Sequence, residues 1–343
     1  MGKKVVVIGS GFGGLSVALR ARAKGYDVTI LEKGSQLGGR ARVFYRNGFR
    51  HDAGPTVLTA PWLLEELFVL FKKNITDYVK IEPLDLWYRF VYPDGSVFDY
   101  DSDVKNTLAQ IEKLNPKDVQ GYKNLLKQSE DIFKVGFEKL SSHPFHSLPF
   151  MLSQIPSMIR LKAYKTVWQF VCAHLKNDKL RQAFSIQPLL VGGNPFNTTS
   201  IYNLIHFLER KWGVHFPHGG TGALVNALEK LALEEGIEIR LKTEVTKLKI
   251  QKKKIHLIET NNSEKVPCDI VISNMDPVNL YRQIEGRDYK KNWKLKIREN
   301  YSRYSMALFV LFFGSKKQYN DLINELKTNE GNTSLQFRKK MSQ

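Results

Sequence analysis

The run Lys3-Lys-Val-Val-Val-Ile-Gly-Ser-Gly-Phe-Gly-Gly14, continued by Leu15 to Lys24 and by Tyr26-Asp-Val-Thr-Ile-Leu-Glu32, decides the fold. Lys3 to Gly9 is a short, nearly unbroken apolar run, as a parallel strand buried on both faces requires. Gly13 to Lys24 has helical spacing and stops at Gly25, and Tyr26 to Glu32 is a second strand. Strand, helix and strand make one βαβ unit. Gly9, Gly11 and Gly14 fit G-x-G-x-x-G, in which the first glycine allows a tight turn, the second admits a pyrophosphate and the third packs helix on strand. Backbone N–H groups near Phe12 and Gly13 then face that anion at the positive end of the helix. Glu32 ends the second strand, where a carboxylate accepts the ribose hydroxyls and repels a 2′-phosphate. The expected class is α/β: a Rossmann-like domain with a parallel sheet, joined to a discontinuous α+β domain.

Outward from this unit, a helical stretch begins near Trp62, and Asp94-Gly95 separates two alternating runs as in a hairpin. Residues 101 to 185 are mostly helical in pattern. Within them the segment 144–162 is apolar, basic and interrupted by Pro144, Pro149 and Pro156, so it suits either contact with lipid or a core helix pair. His218-Gly-Gly-Thr-Gly opens a helix carrying Leu224, Ala227, Leu228 and Leu231 on one face, which ends before Gly236. Three strand-like runs follow, Ile237 to Val245, Lys247 to Glu259 and Val266 to Ser273, and imply a return to the first domain. The expected division is 1–85 with 214–300 for the nucleotide domain, 86–213 with 301–326 for a substrate and membrane-facing domain, and an unstructured tail at 327–343.

At 343 residues with 42% hydrophobic and 25% charged side chains, the chain has the balance of a folded protein and not of a disordered one. An excess of 18 positive charges favours polyanionic surfaces. No aromatic RNA-binding motif and no helix-turn-helix spacing accompanies the charge, so a membrane surface is preferred to nucleic acid, with a merely solvated basic surface as the alternative. Lys3 and Lys4 before an apolar stretch look superficially like a signal peptide, but four glycines interrupt that stretch, and no run reaches bilayer length. The expectation is a cytoplasmic protein peripheral to the inner membrane. Cys172 and Cys268 lack CxxC spacing, which argues against a disulfide framework or metal site and suggests two buried thiols. The eight histidines show no trusted ligand spacing. Neither a nucleophile elbow nor a Walker lysine is present, which suits a protein whose cofactor carries the chemistry.

The segment Glu32-Lys-Gly-Ser-Gln-Leu-Gly-Gly-Arg40-Ala41, the run Asp52-Ala-Gly-Pro-Thr56, Phe216-Pro-His-Gly-Gly220 and Ser273-Asn-Met-Asp-Pro277 together resemble the flavin-containing amine oxidase superfamily. The resemblance is strongest to its carotenoid desaturase and isomerase branch, of the bacterial phytoene desaturase type, and runs from Lys3 to about Tyr319. It implies FAD as cofactor, with Glu32 and Lys33 at the adenosine ribose and Gly39 and Arg40 along the pyrophosphate and ribityl chain. Pro55 and Thr56 would approach the flavin ring, and Val245, ending a strand, would touch the adenine through its backbone. Independently, Gly38-Gly39 permits close backbone approach and Arg40 supplies a cation for phosphate. Asp52 suits a general base or, better, a cap on the Gly54-Pro55 turn.

By the same resemblance the substrate is a polyisoprenoid hydrocarbon such as phytoene, desaturated by hydride transfer to flavin, with quinone or oxygen as electron acceptor. A carotenoid isomerase, a retinol-saturating type, a C30 desaturase or another FAD-dependent oxidoreductase fits the same motifs. No catalytic side chain is assigned. Family members are longer and end in a Gly-x-x-Thr-x-Pro-Gly-x-Gly segment not found here, so a shortened, inactive relic or a non-catalytic interaction protein is the rival expectation.

Overall fold

The computed structural model describes residues 2–55, 57–141, 143, 147–251, 254–285, 293–302, 304 and 310–312. These residues fall into two units, one within Met1–Glu82 and Phe216–Tyr304 and the other within Pro83–His215 and Ser305–Gln343. Where the sequence places the crossings at 85/86 and 213/214, the chain changes unit after Glu82 and before Phe216. The tail expected at 327–343 lies outside the described residues.

Unit one is built on a four-stranded parallel sheet. Strand β1 (Lys4–Ile8) lies between β2 (Asp27–Leu31) and the strand Ile270–Ser273, and Glu238–Arg240 extends the sheet beyond β2. Helix α1 (Phe12–Ala23) supplies the crossover from β1 to β2 and ends on Gly25, whose φ of +84° no β-carbon favours. Alternate residues of β1 serve opposite faces. Val5 and Val7 pack with Leu15 and Leu19 of α1 and with Leu224, Leu228 and Leu231 of the helix Gly220–Glu234. Val6 and Ile8 pack instead with Val245, Leu248, Ile258 and Val266, which belong to a second sheet. The parallel sheet is thus sandwiched between helices and a second sheet, and both faces are apolar because both are covered.

That second sheet corrects part of the strand reading. The run Lys247 to Glu259 is not one strand but two, Val245–Gln251 and Lys254–Thr260, paired antiparallel. Val245 accordingly opens a strand and does not end one. The run Val266 to Ser273 also divides, into Lys265–Pro267 on the second sheet and Ile270–Ser273 on the parallel one. The break before Val245 comes at Lys242, which adopts φ +53° with no glycine or proline to announce it.

Unit two opens on the expected hairpin, Leu86–Val91 with Val97–Asp101, turning at Gly95. Its core is aromatic: Tyr100, Tyr122 and Phe184 are buried with ring centroids 4.9–5.3 Å apart where they meet. The Arg210 guanidinium is stacked against Trp87 and Tyr100 at 4.7 and 4.2 Å and donates to Tyr122 Oη and Thr107 Oγ1. Beside it Glu209 is fully buried and accepts from Tyr88 Oη at 2.8 Å.

Helix Lys117–Phe133 seats Asp118, 1% exposed, under the turn that follows Val167–Cys172. Its two carboxylate oxygens accept from the N–H groups of Lys176 and Asn177, each at 2.8 Å. Asp118→Ala strands both donors and is expected to destabilise the chain by about 3 kcal/mol, while Asp118→Asn keeps one acceptor and costs about half as much. Urea midpoints of the three chains check the ranking.

The segment Leu148–Ser153 and Ile155–Arg160 forms two short helices without a buried residue, so its core-pair reading does not hold. Pro144, Phe145 and His146 lie outside the described residues. Among the described residues no helix is long and apolar enough to cross a membrane. Both cysteines are half-buried and not fully enclosed as expected, and burial still pushes each thiol above its ordinary range.

Candidate dinucleotide site

β1, β2 and Ile270–Ser273 run in one direction, so their carboxyl ends open on one edge of the sheet, where crevices for ligands form in open α/β sheets. Gly9, Glu32 and Asn274 are the first residues beyond these three ends, tied by Gly9 N to Leu31 O at 2.9 Å and Asn274 N to Ile8 O at 2.9 Å. Gly9 turns the chain at φ +90°. A β-carbon at Gly14 would lie 1.9 Å from Gly9 O, so the turn and α1 meet with no room for a side chain. The N-terminus of α1 has no side-chain cap and no acidic residue in its first turn. Its orphan N–H groups and dipole are left to an anion.

Glu32 is buried and already oriented. Its Oε2 accepts from Ser10 N at 2.9 Å and Ser10 Oγ at 2.6 Å, and its Oε1 accepts from Gly34 N at 2.7 Å. A carboxylate has about four acceptor positions, so three held donors leave capacity for a sugar hydroxyl. Lys33 is exposed beside it. The segment 240–243 runs alongside, with Glu32 N to Arg240 O, Lys242 N to Gly34 O and Thr243 N to Glu32 O at 2.8–2.9 Å. Val245 follows that segment and buries its own side chain in the second sheet's core.

From the glycine turn a line of close backbone approaches leads away from Glu32. Gly38 N donates to Ser10 O at 3.0 Å, and a β-carbon at Gly39 would meet Gly11 Cα at 3.2 Å. Arg40 sits exposed on the short turn Gly39–Ala41. Gly54 continues the line, since a β-carbon there would lie 2.7 Å from Ala41 Cα. Pro55 is exposed and its carbonyl accepts from Thr221 Oγ1, while Thr56 lies outside the described residues. Asp52 accepts at Oδ1 from Gly222 N at 3.0 Å, so it does cap backbone, but on a helix 170 positions away and not on its own turn.

The structure thus brings together Gly9 to Gly14, Glu32, Lys33, Gly39, Arg40 and Pro55 on one edge of unit one. Sequence reasoning missed Ser10, which orients Glu32, and Asn274, whose side chain lies against Gly11 and Gly13. The signal for Asn274 was its place just past a strand that pairs with β1. His218 Nε2 faces Glu82 Oε2 at 2.6 Å, and no cluster of metal-ligating side chains occurs among the described residues.

A glycine cradle on an uncapped helix with a preset carboxylate at the next strand end defines a dinucleotide-binding protein of the Rossmann type. Residues 12–335 match the family described as flavin containing amine oxidoreductase, and the chain belongs to that family. Among its relatives, the lycopene-forming phytoene desaturase of Pseudescherichia vulneris is 43% identical over 320 residues, covering 93% of this chain and 65% of the relative. The lycopene-forming phytoene desaturase of Pantoea ananas is 42% identical over 323 residues, with the same two shares. The chain therefore spans about 65% of the length of these relatives. Among solved structures an oxidoreductase from Methanosarcina mazei superposes with a TM-score of 0.58 at 20% identity, covering 82% of this chain and 61% of that one, a likeness of fold.

Proposed function

We propose that the chain binds FAD along the carboxyl edge of unit one and serves desaturation of a polyisoprenoid hydrocarbon such as phytoene. The observation that carries this is the buried Glu32 carboxylate, preset by Ser10 and Gly34 beside an uncapped helix N-terminus. When bound, the flavin supplies a two-electron acceptor for oxidation of a C–H bond. The residues of the chain bind and orient it: Glu32 takes the ribose hydroxyls, the amides near Phe12 and Gly13 take the pyrophosphate, and Arg40 lies along the phosphates as a fixed cation. Gly54 and Pro55 bring backbone toward the ring end. Relatives described as phytoene desaturases at 42–43% identity support the substrate class. Such a hydrocarbon offers no polar handle, so its affinity comes from apolar burial at about 25 cal/mol per Å². Unit two is the substrate side, and quinone or oxygen takes the electrons on.

Access to such a substrate requires lipid. Leu148, Met151, Leu152, Ile155, Met158 and Ile159 are all exposed on the two short helices of unit two, with Arg160 and Lys162 next to them. Together with the 18-charge excess they form a peripheral membrane surface on the inner leaflet. Binding to anionic vesicles is expected at low salt, falling as salt rises, and Leu152→Asp with Ile159→Asp is expected to abolish it while leaving the fold intact. Co-sedimentation decides this, and retention of the double variant on vesicles would refute the assignment. The activity itself is tested with FAD, phytoene in anionic liposomes and a quinone. Growth of visible absorption from lengthened conjugation supports desaturation, and a change of geometric isomer without it would favour the isomerase alternative.

A further inference from the structure

In the strand pair β3 (Val43–Arg46) and β4 (Phe49–Asp52), β4 carries two charged residues, Arg50 and Asp52, that do not point to solvent alone. Arg50 Nη2 donates to Gly219 O and to Asp52 Oδ1, the latter at 3.2 Å. Asp52 Oδ1 also takes Gly222 N, in the first turn of the helix Gly220–Glu234. The fit is tight on every side. A β-carbon at Gly220 would lie 2.2 Å from Asp52 Oδ2, and one at Gly222 would lie 2.2 Å from Val43 Cγ2 and 3.0 Å from Asp52 Oδ1. The same turn carries Thr221, whose hydroxyl donates to Pro55 O.

These contacts form a closed loop: Asp52 holds the turn, the turn holds Pro55, and Pro55 follows Asp52 by three residues. Gly54, inside that loop, rests on Ala41, and the turn Gly39–Ala41 rests on Gly11. Arg50 and Asp52 therefore sit at the end of the line of close approaches opposite to Glu32.

We propose that Arg50 and Asp52 are positioning residues that latch Pro55 to the 219–222 turn and so fix the ring end of the flavin site, an inference that rests on the flavin reading above. Asp52 neutralises the helix N-terminus from within the protein, and its carboxylate is held against that turn by Arg50. Loss of the latch frees the Gly54–Pro55 segment without touching Ser10, Glu32 or the glycine turn. The ring end should then loosen while the adenosine end stays intact.

The test uses two ligands on the full chain. FAD spans both ends of the site, whereas ADP reaches only the adenosine and pyrophosphate end. Asp52→Ala is expected to weaken FAD about tenfold, the equivalent of losing one helix cap, and to leave ADP affinity unchanged. Asp52→Asn keeps an acceptor for Gly222 N and is expected to restore most of the FAD affinity, which also guards against an alanine variant that fails to fold. Equal weakening of FAD and ADP, or no weakening of either, overturns the latch. A wild-type chain that took ADP but no FAD would instead overturn the flavin reading, and the latch with it.

Discussion

Replacing Gly14 by alanine is expected to abolish flavin binding and to destabilise unit one by about 3 kcal/mol or more. The reason is steric. The added carbon would lie 1.9 Å from Gly9 O, and its other close neighbours are Gly9 C at 3.0 Å and Asn274 Cβ at 3.5 Å, so relief requires moving backbone. Moving α1 outward opens its contacts with Val5 and Val7 and carries the pyrophosphate amides away from the turn. Gly48→Ala gives the matched control. Gly48 adopts φ +79° but a β-carbon there meets nothing within 4 Å, so the cost is backbone strain of about 1 kcal/mol and no loss of flavin. Urea unfolding and flavin titration of both variants measure the contrast, and a Gly14→Ala chain that bound FAD normally would refute the cradle.

The second large effect is a pH dependence written into unit two. Burial pushes the Glu209 carboxyl up to about 7, against the opposing pull of the Tyr88 hydrogen bond, of Arg210 and of the Gln187 amide. One carboxyl oxygen, Oε2, is buried without a partner, as is Oε1 of Gln187. Both are acceptors left without a donor, and a proton on Glu209 removes the charge that such a site disfavours. The native state holds that proton where the unfolded chain, titrating near 4.5, has released it. Stability from this group is therefore full below about 4.5 and is lost as pH rises to about 7, a span worth about 3 kcal/mol.

His206 works in the opposite sense. It is fully buried, with Nε2 at 2.9 Å from Phe184 O and Nδ1 at 3.1 Å from Gln187 Nε2, and burial pushes it down to about 4. Its contribution is full above the ordinary value of 6.5 and is lost as pH falls to about 4. In the wild-type chain the two slopes oppose each other. Glu209→Gln is expected to remove the first and leave the second, so that stability then rises with pH between about 4 and 6.5 and exceeds wild type by about 3 kcal/mol at pH 8. Urea midpoints at pH 4.5, 6 and 8 check this. A variant less stable than wild type at pH 8 would mean that the folded state favours the Glu209 carboxylate and that burial does not hold its proton on.

How far the sequence speaks depends on how local the determining physics is. The βαβ unit, the helix after Gly220 and the hairpin at Gly95 were legible because apolar period and glycine punctuation act within a few residues. The α/β class and the family followed from the same stretches. The strands after Gly236 were misdivided because Lys242 takes its positive φ, and Lys252-Lys253 separates the two paired strands, with no glycine or proline in the sequence at either place. Glu209 and Arg210 lie in Leu-Glu-Arg-Lys-Trp, a stretch with no local sign of burial, and only the aromatic shell of unit two shows that Glu209 is enclosed and Arg210 stacked. Asp52 was recognised as a cap, but its partner Gly222 is 170 positions away, and no local pattern encodes such a pairing. Ser10 occupies a position the glycine fingerprint leaves open, so its hold on Glu32 was invisible as well.

The most direct test of the account is the visible absorption spectrum of the purified full chain, before and after addition of FAD, with chromatography of what heat releases. A flavin band shifted from that of free FAD, with stoichiometric FAD recovered on denaturation, is the predicted result for the cradle formed by Gly9 to Arg40. A folded but colourless protein whose spectrum with added FAD is only that of the free cofactor would contradict it.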